Sequence, residues 1–307
     1  MQLPIIVAPM AGGPSTVDLA AAVSLAGGYG FLAAGNKSAG AMAEEIEQLR
    51  ARVHTFGVNL FAPPSQSVNV DEFQVYAQRL QPEAEIHGVV LDPLPKSGDD
   101  EWSEKLEYLR ANPVEVVSVT FGLPERAEIS MLQAAGSFVV ATVTSPVEAQ
   151  NAAELGVDGL VVQGYRAGGH SAVHDPRTWP AELETAELVR AVRQSVHLPV
   201  IAAGGIDGPA AVREMLDAGA EGVSVGTMFL RTDEAGTSPT HRAAIGDPEF
   251  TSTTLTRAFT GRPARGLHNG FIDRHHSAAP AGYPEVHYLT RELSAAAGAA
   301  ADTDRLH

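Results

Sequence analysis

The chain has 307 residues, of which 44% are hydrophobic but only 6% aromatic, and its formal net charge is −16. That charge argues against nucleic acid or an anionic membrane as partner, because both demand basic patches. The sequence holds no cysteine, which excludes disulfides, thiolate nucleophiles and cysteine-ligated metals.

Residues 3–8 read as an apolar strand running into Pro9-Met10-Ala11-Gly12-Gly13, with Ser15 or Thr16 placed to cap a helix that stops at Gly27-Gly28. No basic or long apolar leader precedes this strand, and no apolar run reaches the roughly 18 residues of a spanning helix, so a cytoplasmic protein without membrane contact is expected. Residues 31–34 give a second strand, and 38–53 a helix with the apolar stripe Met42, Ile46, Leu49, Val53. The third strand covers 56–61, with Asn59 near its C-terminal end, and a helix over 71–80 follows Pro63-Pro64. Residues 81–113 are the least regular stretch, and the apolar run 89–91 is read as an excursion inside a long loop. Its Asp92-Pro93 is turn chemistry.

Regularity returns with a strand at 114–120, a helix at 125–135 and a strand at 138–143. Ser145-Pro146-Val147-Glu148 then supplies a capping serine, a proline at the first helical position and a glutamate three residues after the cap; this helix ends at Gly156. Residues 159–162 form a buried strand that leads directly into Gln163-Gly164-Tyr165-Arg166-Ala167-Gly168-Gly169-His170. A helix at 182–196, a strand at 199–205, a helix at 209–218 and a strand at 222–227 complete the pattern. Beyond 227 the chain reads as mostly helical and polar to about 278, and 292–301 as an amphipathic closing helix. The likeness of 155–162 to 218–225 marks a recurring βα unit.

Strands alternating with helices, and no antiparallel hairpin signal, predict an α/β fold, a TIM (β/α)8 barrel. Residues 1–227 form the barrel and carry the cofactor site, 228–278 a small, partly helical cap, and 279–307 a C-terminal helical segment closing the barrel. The strand ends Ala203-Gly204-Gly205 and Ser224-Val225-Gly226-Thr227 each release backbone N–H groups just before a helix, which is the usual barrel phosphate site. His170 is the candidate base, because an imidazole with an ordinary pKa near 6.5 accepts protons at neutral pH. His174, His268, His275 and His276 read as solvated loop residues rather than metal ligands, Trp102 and Trp179 as packing residues, and Tyr283, His287 and Tyr288 either fold back over the mouth or, the preferred reading, pack within the terminal segment.

Taken in order, Ala8-Pro9-Met10-Ala11-Gly12-Gly13, Gln163-Gly164 with Ala167-Gly168-Gly169-His170, Ala203-Gly204-Gly205-Ile206 and Val225-Gly226-Thr227 resemble the FMN-dependent nitronate monooxygenase family, from residue 3 to about 230. The resemblance implies FMN at the barrel mouth, with the backbone of Ala8, Pro9 and Met10 against the isoalloxazine and Asn59 and Gln163 hydrogen-bonded to it. It implies that Gly168, Gly169, Gly204, Gly205, Ser224, Val225, Gly226 and Thr227 line the path to the phosphate. His170 would take the proton of a nitroalkane, with a nitronate or nitroalkane and O2 as substrates; a homo-oligomer is compatible with it. Two positions depart from the family pattern: Arg166 stands where a glutamate is frequent, and Ser224 where a glutamine is. An FMN-dependent NAD(P)H enoyl-thioester or quinone reductase would share almost every motif. A non-redox barrel lyase or synthase is the third reading; it lacks a strand-end lysine, since Lys37, Lys96 and Lys105 are the only lysines.

Overall fold

The computed structural model describes residues 2–306. Eight strands lie parallel in one sheet: β1 (Ile5–Val7), β2 (Phe31–Ala33), β3 (Gly57–Phe61), β4 (Val116–Thr120), β5 (Phe138–Val143), β6 (Gly159–Gln163), β8 (Val200–Ala203) and β9 (Gly222–Val225). Strand β1 pairs with β9, and the order continues through β8, β6, β5, β4 and β3 to β2. The ring closes at Tyr29, just ahead of β2, whose carbonyl accepts from Val7 N at 3.0 Å and whose N–H donates to Ile5 O at 2.9 Å. This is the expected TIM barrel. The run 89–91 forms no strand, so the count is the eight of the fold.

Helices follow the strands as α1 (Val17–Leu25), α2 (Ala39–Arg50), α3 (Val70–Ile86), α4 (Trp102–Ala111), α5 (Arg126–Ala135), α6 (Pro146–Leu155), α7 (Thr185–Ser195) and α8 (Pro209–Asp217). Their starts obey local chemistry: the hydroxyls of Thr16, Ser38 and Ser145 accept from Leu19 N, Ala41 N and Glu148 N. One assignment differs from the sequence reading. The helix facing the barrel between α2 and α5 is α4, inside the stretch read as irregular, and its Trp102, Leu106 and Leu109 join the main core. Its start carries no capping signal, because Glu101 sits in the left-handed region at φ 51° without a side-chain cap. Helix α3, longer than predicted, leaves the barrel wall.

There α3 meets the rest of the chain: α9 (Pro239–Ile245), α10 (Gly270–His275) and α11 (Glu285–Ala299). Phe73, Tyr76 and Leu80 of α3 pack with Phe259, Phe271, Val286, Leu289 and Leu293 into a second core. The segment after 227 is not mostly helical. Strands β10 (Thr253–Thr256) and β11 (Ala264–Leu267) pair antiparallel, and β11 also pairs with β7 (Gly169–His170), setting Ala264 opposite His170. The connection 257–263 is too long for the two-residue Asn-Gly type of turn that announces a hairpin, so no sequence signal was there to read. Helix α11 begins seven residues before the predicted start, its stripe Val286, Leu289, Leu293, Ala297 keeping the helical period.

Candidate active site

At the C-terminal mouth the loop after β6 meets the backbone of the loop after β8 and the Thr227 hydroxyl of the loop after β9, and glycine permits both approaches. A Cβ on Gly168 would stand 2.8 Å from Thr227 Oγ1, and one on Gly204 would stand 2.9 Å from Ala167 N. Gly204 and Gly205 also adopt φ of 96° and 73°, which side chains resist. Ala8 N donates to Val225 O at 2.8 Å, which sets Ala8 and Met10 against Gly226. The structure therefore brings 8–10, 168–169, 204–205 and 226–227 together around one opening. Gly168, Gly169, Gly205 and Thr227 are solvent-exposed there, and Ala8, Pro9 and Met10 half-buried. Exposed backbone without side chains is the donor set that suits a phosphate group.

His170 is fixed from three sides. Its Nε2 lies 3.0 Å from Thr260 Oγ1, and its ring meets Phe121 and Tyr283 edge-on, with centroids 5.7 and 5.6 Å away. Behind it, Gln163 Nε2 donates to His170 O at 3.1 Å while Gln163 Oε1 accepts from Ala172 N at 2.7 Å. One amide thus closes the loop that carries the imidazole.

Other predicted site residues lie deeper. Asn59 is buried, and its Nδ2 donates to Ser118 Oγ and Thr120 Oγ1, each at 2.9 Å, inside the barrel. Ser224 and Val225 are buried within β9. Arg166 points outward to Glu184, at 2.6 Å, and its stem fills the space beside Gly205. Among the histidines, His275 is not solvated: it is buried and lies 2.8 Å from Glu83. Trp102 packs as expected, whereas Trp179 is 42% exposed under the Arg257 guanidinium at 4.3 Å.

Four residues around His170 were not singled out as site residues by the sequence. Phe121, at φ 77°, turns its ring against Phe61, Tyr283 and His170. Tyr283, read as terminal packing, is instead part of this wall; its hydroxyl donates to Asn36 Oδ1 at 3.3 Å, and burial raises its pKa. A narrow crevice of about 20 Å³ lies beside it, lined by Asn36, Phe61, Pro63, Pro64, Asp100 and Tyr288. Thr260 and Arg262 come from the β10–β11 connection. Arg262 is 2% exposed, its guanidinium 4.1 Å from the Phe121 ring centroid, and burial lowers its pKa to about 10. The only sequence trace of these last two is the Gly261 and Pro263 punctuation beside them.

A closed parallel barrel with glycine-ended strands at its mouth, and a histidine set in an aromatic wall there, is the architecture of an α/β-barrel enzyme with its candidate site at the C-terminal end of the strands. Comparison with known proteins agrees. A family profile described as nitronate monooxygenase matches residues 1–307. A probable nitronate monooxygenase of Staphylococcus aureus (strain Newman) is 34% identical over 313 residues, covering 100% of this chain and 87% of the relative. A nitroalkane oxidase structure from Streptomyces ansochromogenes superposes with a TM-score of 0.94 at 43% identity, covering 99% of this chain and 88% of that one. The structure of FabK from Thermotoga maritima aligns less well, at a TM-score of 0.68 and 27% identity over 90% of this chain and 75% of that one. The chain belongs to the nitronate monooxygenase family, flavin-dependent oxidoreductases that oxidise nitronates and nitroalkanes.

Proposed function

We propose that the chain oxidises alkyl nitronates, and neutral nitroalkanes after deprotonation, with FMN at the barrel mouth and His170 as the base. The observation that carries this reading is the setting of His170: an imidazole anchored by Thr260, walled by Phe121 and Tyr283, at the edge of a glycine-lined opening. The residues present fit FMN. Gly168, Gly169, Gly204, Gly205, Gly226 and Thr227 would hold the phosphate, since Gly168, Gly169, Gly205 and Thr227 leave backbone and one hydroxyl exposed there. The half-buried backbone of Ala8, Pro9 and Met10 would lie along the ring system, with Gln163 and Asn59 stiffening the wall beside it. When bound, FMN supplies the two-electron acceptor and passes the electrons to O2.

The protein's own contribution is proton transfer and exclusion of water. His170 takes the proton from the carbon next to the nitro group, and the electron pair left behind spreads onto the nitro oxygens. A substrate that arrives as the nitronate needs no base. Phe61, Phe121 and Tyr283 keep the reacting carbon dry. The 43% identity to a nitroalkane oxidase over nearly the whole chain favours this reading over an NAD(P)H-driven reductase.

Two measurements test it. Adding ethylnitronate to the purified yellow protein without oxygen should bleach the visible spectrum, and NADH or NADPH should not; the reverse pattern sinks the proposal. His170→Ala should lower kcat with nitroethane by about 100-fold or more, and with ethylnitronate by far less. Equal losses would contradict the base role.

A further inference from the structure

Arg262 heads the fully buried side chains in size, yet among the described residues it forms no ion pair. One guanidinium nitrogen donates to the Val173 carbonyl and Nε is buried without a partner. Among the described residues no carboxylate oxygen lies within 4.0 Å; Asp175 and Glu148 act on it only at longer range. The guanidinium lies over Phe121 at 4.1 Å and 5.4 Å from the Tyr283 centroid, the two rings that also meet His170. Stacking on a ring offsets only part of the cost of taking a cation out of water, and a methionine would fill the same space without that cost. The fold therefore keeps a positive charge without an ion-pair partner against the same two rings that meet the His170 imidazole. Its complement is a negative charge that arrives with, or develops on, the substrate.

We propose that Arg262 is an electrostatic positioning residue: its buried, unpaired guanidinium makes the aromatic pocket around His170 receptive to the negative charge of a nitronate. The proposal rests on the reading that nitroalkanes and nitronates react beside His170. Arg262 touches no substrate; it acts through Phe121 and Tyr283, where little water screens it. A nitronate carries its charge on binding, so the guanidinium strengthens the ground-state complex. A nitroalkane is neutral until its Cα–H bond breaks, the proton passing to His170 and the electron pair to the nitro group, so there the guanidinium acts only in the transition state.

Ethylnitronate and nitroethane differ by one proton and separate these effects. In Arg262→Met, KM for ethylnitronate should rise about tenfold with kcat nearly unchanged, whereas for nitroethane kcat should fall about tenfold with KM nearly unchanged. Arg262→Lys should restore both to within about threefold of the wild type, because it returns the charge. Nitrate, an unreactive planar anion, should bind the wild-type holoenzyme and bind Arg262→Met about tenfold more weakly by isothermal titration. A loss of the same kind with both substrates, or equal nitrate affinity in the two proteins, overturns the proposal. If Arg262→Met does not fold, Arg262→Gln, which keeps a donor for Val173, carries the same comparison. A wild-type holoenzyme that binds no nitrate is fatal to the proposal by itself. A wild type inert toward both nitro compounds refutes the proposed reaction instead, and nitrate binding still decides the role of Arg262.

Discussion

Thr260 shows how little chemistry sets the His170 imidazole in place. Its single hydroxyl donates to Arg262 O at 3.2 Å, accepts from Arg262 N at 3.4 Å and lies 3.0 Å from His170 Nε2, so one hydroxyl group serves a turn and an imidazole together. Thr260→Val keeps the shape and removes that contact. It should lower kcat with nitroethane about tenfold with little change for ethylnitronate, and Thr260→Ser should recover most of the loss. No recovery in Thr260→Ser would mean that the methyl group, not the hydroxyl, holds the ring. Gly205 is constrained differently: at φ 73° an added Cβ would stand 3.0 Å from Arg166 Cβ. Gly205→Ala should push the two loops apart and weaken FMN retention about tenfold or more, read by dialysis and flavin fluorescence. Unchanged retention would remove this loop from the phosphate site.

At the scale of elements, the sequence was legible where structure is made locally. Ser145, Pro146 and Gly156 bound α6 as read, because caps and a first-turn proline act within a few residues. The glycine-ended strands β8 and β9 and the loop after β6 were legible for the same reason. Helix α4 was not, since it starts at Glu101 in a left-handed conformation without a cap and its burial depends on a barrel wall still to be built. The β10–β11 hairpin escaped notice because its partner strand β7 lies far away in the sequence and only two residues long. The aromatic wall was hidden too: Phe61, Phe121 and Tyr283 come from three distant segments, and nothing local tells one such ring from ordinary core. Packing of α3 on α11 holds the Tyr283 segment in place. Leu293→Ala, at a site 2% exposed in that second core, should cost about 2–5 kcal/mol in urea unfolding and lower activity through the displaced wall. A stability loss below about 1 kcal/mol would show that the cap contributes little to holding the site.

For the whole molecule, the joint between α3 and the C-terminal segment is ionic. Glu83 receives Arg274 Nε at 2.6 Å, His275 Nε2 at 2.8 Å and Arg305 Nε at 2.6 Å. Burial alone would raise its pKa, but these hydrogen bonds outweigh burial and hold the carboxyl at about 2 against an ordinary 4.5. A depressed carboxylate stabilises the fold above its unfolded value, and that contribution is lost as pH falls from 4.5 toward 2. His287 adds an earlier loss: burial, then Arg291, lower its pKa from 6.5 to about 4. The unfolded chain takes up that proton first, so stability declines as pH falls from 6.5 to 4. Tm should therefore drop in two successive stages on acidification, with Glu83→Gln weakening the lower stage and His287→Gln the upper, to which His275, also lowered by burial, contributes. A Tm that stays level from neutral pH to about 3 would refute both assignments. The pairing of β7 with β11 has a further consequence, in time rather than in space. Thr260, which fixes His170, is made 90 residues after it. On the ribosome the glycine loops at the barrel mouth are complete well before the strand that clamps the imidazole has left the exit tunnel. The glycine loops thus precede the hydroxyl that anchors His170, and the imidazole is the later of the two features to be set in place.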